Sequence, residues 1–442
     1  MKLEELKLLL RDNGIVGAGG AGFPSYAKLD KKADTIILNC AECEPLLKLH
    51  RQVLEHYTFE ILSALDLIAK TLGVKNVFVG IKSSYKRTIA ALEAQNDSFP
   101  NIQIARLPEI YPIGDEVVLT YEVTKRVVPA GTIPLEVGVV VFNVETVYNL
   151  SRALKGEAVT HKFVSIVGEV ANPVTVCAPV GMQIDRLVRL AGGTTVENPV
   201  FLVGGPMMGK IQSGFSPITK TTNAIIVLPE EHPLIRKKQA KTVIDMKRAM
   251  AACCQCSYCT DLCPRNLLGH PIEPHKFMLY ATNSVTNDAQ PYVNSLYCSG
   301  CGLCEMYSCG QGLSPRALLD ACKGGLRAKG VKPEKQQDGG VSEARDKRRI
   351  PTRRLVARLG LAKYNKTAPI ETKMLSDIAV KILLTQHIGA PSKAVVSVGD
   401  EVKRGQVVAV YDQKALGVNI HASIDGVISQ VTDKYILIES EG

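Results

Sequence analysis

Nine of the chain's thirteen cysteines lie between positions 253 and 309, and their spacing restricts what that stretch can become. The first run reads Cys253-x2-Cys256-x2-Cys259-x3-Cys263-Pro264, the second Cys298-x2-Cys301-x2-Cys304-x4-Cys309-Gly310. A Cys-x2-Cys-x2-Cys loop brings three thiolates onto three irons of one cubane, and the fourth thiolate must arrive from farther along the chain. Zinc sites generally pair two separated Cys-x2-Cys units, which two triple runs fit poorly. The stretch therefore reads as the holder of two [4Fe–4S] clusters, which move electrons singly.

The first run has bacterial ferredoxin spacing, while the second carries an extra residue before its last cysteine and Gly310 where proline is usual. In two-cluster ferredoxins the fourth cysteine of a run serves the other cluster. Cys253, Cys256, Cys259 and Cys309 are thus expected on one cluster, and Cys298, Cys301, Cys304 and Cys263 on the other. Cys254 and Cys322 fall outside the spacing and read as bystanders.

A chain of 442 residues is too long for a single core, so several domains are expected. Residues 35–39 read as a buried strand, 46–72 as a helix stopped by Gly73, 76–81 as a strand and 84–95 as a helix. That alternation implies a parallel, helix-covered α/β domain over 1–155. Residues 156–244 turn β-rich, with a turn at Asn172-Pro173 and a helix at 184–191, in the manner of a β-grasp domain. The cysteine segment spans 245–325, residues 326–375 read as a charged linker, and 376–442 as an all-β unit of hairpins. The fold class is accordingly α/β and α+β multidomain.

The formal charge is +10, and much of the excess lies between Lys323 and Arg358. No aromatic residues interleave it and no binding motif accompanies it, so it reads as a solvated linker or a docking face for an acidic partner rather than a nucleic-acid surface. No run of about 18 apolar residues suggests a membrane span. The first residues form an amphipathic helix pattern ended by Gly14 rather than an export signal, which points to a reducing cytoplasm.

The loop Gly17-Ala-Gly-Gly-Ala-Gly22-Phe23-Pro24, followed by Lys28, is nearly bare backbone whose amides can approach a phosphate or a flat ring closely. Asn39-Cys-Ala-Glu42-Cys-Glu44 follows at the carboxyl end of a strand, where parallel sheets bind ligands. With Gly114-Asp115-Glu116 and Asn143-Val-Glu-Thr146, these phrases resemble the flavin-binding subunit of respiratory complex I and its relatives. The resemblance implies FMN contacts from Gly17, Gly19, Gly20, Lys28, Asn39, Glu42, Gly114, Glu116 and Asn143, and NADH contacts from Phe23, Glu44 and Asp115. It departs at Ala18 and Ala41, where that family carries arginine and aspartate. Residues after 156, with Gly204-Gly-Pro-Met-Met-Gly209, resemble its soluble-ligand-binding β-grasp (SLBB) domain.

The C-terminal hairpins resemble the barrel-sandwich domain of biotinyl and lipoyl carriers and of the RnfC protein of the Rnf electron-transport complex. Lys414 lies one residue farther from the Asp-Gly turn than a modified carrier lysine does, so a structural barrel is expected. In RnfC this barrel precedes the flavin-type domain, whereas here it follows the cysteine segment. That order resembles the cobalamin reductases of propanediol-utilisation microcompartments. The resemblance implies NADH-dependent electron transfer through FMN and two clusters to cobalamin or to a redox-protein acceptor. It also implies an adenosyltransferase and shell proteins as partners, inside a bacterial microcompartment. The alternatives are a component of an Rnf-like complex, or a redox partner in a glycyl-radical microcompartment with another acceptor.

Overall fold

The computed structural model describes residues 1–336 and 339–440. After α1 (Leu3–Asp12), four parallel strands form one sheet: β1 (Thr35–Cys40), β2 (Asn76–Lys82), β3 (Ile102–Leu107) and, after the short β4 (Ile110–Tyr111), β5 (Val139–Asn143). Their order is β3-β2-β1-β5. Ile36, Ile37 and Leu38 are wholly buried, as a continuous apolar run in a sheet covered on both faces demands. The covering helices are α2 (Leu49–His56), α3 (Thr58–Leu72), α4 (Lys86–Glu93), α5 (Glu116–Thr124) and α6 (Val144–Ala153). Gly73 ends α3 in the left-handed region, as read from the sequence.

The helix expected over 46–72 is two helices that break at Tyr57 (φ −123°, ψ 36°). Its ring packs 4.5 Å from that of Tyr148 on α6 and 6.2 Å from Phe163. The apolar periodicity runs on through the break, so spacing alone could not reveal it.

The second sheet has six strands: β6 (His161–Gly168), β7 (Val174–Pro179), β8 (Pro199–Val203), β9 (Lys210–Gln212), β10 (Ala224–Pro229) and, from far downstream, β12 (Ile370–Met374). The helix α7 (Ile184–Leu190) packs on it. Two helices, α8 (Pro233–Gln239) and α9 (Thr242–Ala252), lead into the cysteine segment.

Residues 326–375, expected as a linker, are woven into the body instead. β11 (Ile350–Pro351) pairs antiparallel with β4, and β12 adds in parallel to β7. Arg345 is buried, ion-paired with Glu122, and lies 4.6 Å over the Tyr121 ring. Paired and stacked arginines can be buried, which a reading from charge density alone does not anticipate. Residues 379–439 form two small antiparallel sheets around Val380, Ile382, Val408, Ile420, Ile436 and Ile438.

Candidate flavin and iron–sulfur site

β1 and β5 lie side by side with Asn39 opposite Asn143, so both side chains emerge at the carboxyl ends of the strands. Asn39 Nδ2 donates to the Gly114 carbonyl at 3.0 Å, and its Oδ1 accepts from the Ala41 N–H at 3.0 Å. Asn143 caps α6 by accepting from the Glu145 N–H at 2.9 Å, and its Nδ2 lies 3.2 Å from His50 Nε2. Lys28 Nζ donates to Glu116 Oε1 at 2.6 Å and to the Val141 carbonyl at 3.0 Å. Four of the expected FMN residues thus converge with Gly114 at one sheet edge.

The glycine loop is closed by the Gly17 N–H donating to the Phe23 carbonyl at 2.9 Å. It is anchored by the Ala18 N–H donating to Thr146 Oγ1 at 2.9 Å. Gly20 has φ +61° and nothing within 4 Å of an added Cβ, so its backbone is both glycine-dependent and open. Beside Gly19 the buried Asn223 Oδ1 has no hydrogen-bond partner. A bare, open loop with an unpartnered polar atom beside it, and the Lys28 ammonium held at the strand ends, fit a flavin. Gly114 has a different reason: a Cβ there would meet the Ala41 carbonyl at 2.7 Å, so glycine admits neighbouring backbone rather than ligand. Lys28→Ala is expected to weaken FMN retention about tenfold, on the scale of one lost charge-assisted contact, with iron content unchanged. Fluorescence of released flavin alongside iron assay checks this; parallel loss of both contradicts it.

Three expected ligand contacts are committed elsewhere. Glu42 is buried and accepts from the Leu49 and His50 N–H groups, both at 3.2 Å, so it starts α2 rather than facing open space. Glu44 accepts from the Met207 and Met208 N–H groups, both at 2.8 Å, clasping the β-grasp loop. A Cβ on Gly205 would sit 2.3 Å from that carboxylate. Asp115 caps α5 and binds Arg265 at 2.8 Å, two residues after Cys263. Glu44 and Asp115, expected to meet NADH, therefore join domains; Phe23, half-buried at the loop's base, is the expected NADH residue without such a contact.

Burial pushes the Glu42 carboxyl up to about 7, with the Arg51 charge opposing. A carboxyl raised above its unfolded value stabilises fully at low pH, and that stability is lost as pH rises through the folded value. The anaerobic unfolding midpoint is expected to fall between about pH 5 and pH 7 by an amount on the order of 3 kcal/mol in stability. Glu42→Gln should flatten that slope, and an equally steep slope in the variant contradicts the assignment.

Within each expected set the thiols lie near enough to influence one another. Cys259 is pushed up to about 12 by burial and by its neighbours Cys253, Cys256 and Cys309. Cys304 is raised by burial, by Glu305, and by Cys298, Cys301 and Cys263. Cys263, Cys298, Cys301 and Cys304 line one pocket, walled by apolar Ile272, Leu303 and Leu319. Buried thiols that raise one another's pKa become thiolates only beside a cation, so this donor set fits iron. The Tyr111 hydroxyl donates to the Cys301 carbonyl at 2.7 Å, and a Cβ on Gly302 would lie 3.6 Å from the Met207 side chain, so this set abuts the α/β and β-grasp domains. Of the first set, Cys256 is exposed.

Sequence reasoning missed Arg265, His50 and the supporting role of Thr146. Only Thr146 carried a signal, standing in the Asn-Val-Glu-Thr phrase.

Family models match this organisation: a Nuo51 FMN-binding domain on residues 10–152, an SLBB domain on 163–210, a 4Fe-4S dicluster domain on 252–314, and an RnfC barrel sandwich hybrid domain on 360–441. The chain is 38% identical to Cobalamin reductase PduS of Salmonella typhimurium, over 99% of this chain and 97% of that protein. The chain belongs to the PduS cobalamin reductase family. It is thus an oxidoreductase with an FMN domain and a dicluster domain, and among the described residues no helix is long and apolar enough to cross a membrane. The RnfC-type component of the ion-translocating oxidoreductase complex of Edwardsiella ictaluri is 33% identical over 58% of this chain and 31% of its own length. A chain of the NAD+-reducing [NiFe]-hydrogenase in the H2-reduced state shares the fold, with a TM-score of 0.51 at 19% identity over 75% of this chain and 64% of its own.

Proposed function

We propose that the chain is an NADH-dependent flavo-iron–sulfur reductase that delivers single electrons to cobalamin, reducing its cob(III) and cob(II) forms in a bacterial microcompartment. The observation that supports this reading is the contact of the second thiol run with the FMN domain through Tyr111 and Asp115–Arg265, while Cys256 of the first run is exposed. When bound, FMN accepts the paired electrons of NADH and the clusters carry them one at a time.

The chain's own residues hold and align these groups. The glycine loop, Lys28, Asn39 and Asn143 frame the flavin edge, with Glu116 orienting the Lys28 ammonium. Glu42 fixes the loop that precedes α2. Cys253, Cys256, Cys259 and Cys309 hold one cluster, and Cys298, Cys301, Cys304 and Cys263 the other. Glu44 and Asp115 keep the domains from separating, and Phe23 is left to meet the nicotinamide. Cobalamin as acceptor follows the family's named activity, and an adenosyltransferase and shell proteins are the partners this role needs.

Anaerobic mixing of NADH with the reconstituted chain and hydroxocobalamin tests the reading. Appearance of the cob(II)alamin spectrum, dependent on both FMN and iron, is expected. Reduction of a ferredoxin without reduction of hydroxocobalamin would overturn the assigned acceptor.

A further inference from the structure

The two thiol sets differ in exposure, and the exposed one has an unusual setting. Cys256 is exposed, with exposed Tyr258 (58%) two residues on and Met250 (62%) just before the run. The helix α9 leads directly into Cys253. It turns Asp245 and Ala249 inward, leaving Val243 (69%) and Ile244 (52%) exposed beside exposed Lys247 and Arg248. From Arg236 to Thr260 the sequence has six cations and one acid, and that acid is the buried Asp245.

Two of those cations are used internally. Lys237 donates to the Gly312 and Leu313 carbonyls, and Lys238 to those of Met207 and Gly209. Arg236, Lys241, Lys247 and Arg248 are exposed, and among the described residues none of the four pairs with a carboxylate. A helix that shows large aliphatic side chains between unpaired cations, at the outer end of an electron-carrying segment, has the composition of an interface: an apolar centre with a charged rim.

We propose that α9 and the segment Cys253–Tyr258 that follows it form the docking surface for a protein with an acidic rim around its electron-accepting group. The inference rests on the reading above that the first thiol set holds the outer cluster. Charge complementarity fixes the occupant's sign and steers its approach, while Val243, Ile244 and Met250 supply the area that excludes water. Each encounter moves one electron to the partner's oxidised group, so one NADH supplies two encounters.

The test uses a small acidic flavodoxin, fluorescently labelled, titrated by anisotropy with the reconstituted full chain and no reductant. Binding is expected to weaken about tenfold between low salt and about 300 mM salt. Lys247→Glu with Arg248→Glu is expected to weaken it about tenfold more, whereas Arg353→Glu with Arg354→Glu, an exposed basic pair elsewhere, leaves it unchanged. Absence of binding, absence of salt dependence, or equal loss in the two variants would overturn the proposal. Reduction of hydroxocobalamin by the unsubstituted chain reads the parent function separately, so the surface and the reading beneath it fail by different signals.

Discussion

Cys263→Ser is expected to remove the same cluster as Cys301→Ser, although these residues belong to different runs. Each single variant should fall from about eight irons to about four per chain, and the Cys263/Cys301 double variant should fall no further. Cys309→Ser should instead resemble Cys256→Ser, and combining Cys309→Ser with Cys301→Ser should empty both sites. The shared space lined by Cys263, Cys298, Cys301 and Cys304 motivates this pairing. Iron and sulfide assay with low-temperature EPR of the reduced chain separates the cases. Near-complete iron loss in the Cys263/Cys301 pair would mean that each run serves its own cluster.

The second large effect concerns the junction between the first two domains. Lys162 and Glu145 form an ion pair with each side chain only 1% exposed. Lys162 also donates to the Phe163 carbonyl at 2.9 Å, and Glu145 accepts from the Phe163 N–H at 3.0 Å. Removing one member leaves a buried charge without its counterion, which costs about 3–5 kcal/mol. Lys162→Met should lower stability by that amount, and Lys162→Met with Glu145→Leu should recover most of it, because a buried pair is often matched by apolar residues of similar volume. Anaerobic urea unfolding followed by circular dichroism measures both. A Lys162→Met loss under about 1 kcal/mol would mean the pair is solvated rather than buried.

Features that depend on neighbours in the chain were legible without the structure. The thiol spacing, the glycine loop and the strand ending at Asn39 are local patterns whose chemistry follows from residue type and interval. The roles of Glu44, Asp115 and Arg345 were not legible, because their partners are remote: Met207 is 163 residues from Glu44, Arg265 is 150 from Asp115, and Glu122 is 223 from Arg345. A carboxylate beside a ligand-binding motif looks the same in sequence whether it meets a nicotinamide or clasps another domain. The supposed linker was misread for a related reason. A two-residue strand such as Ile350–Pro351 has no period to detect, and Arg345 looks solvated until its buried carboxylate is known.

The most direct measurement of the central claim is an anaerobic titration of the reconstituted chain with NADH, followed by visible absorption and low-temperature EPR. Bleaching of the flavin band together with EPR signals from both clusters is the result expected of an enzyme that takes electrons in pairs and hands them on singly. A flavin that stays oxidised under excess NADH, while dithionite reduces it and the clusters normally, would contradict it.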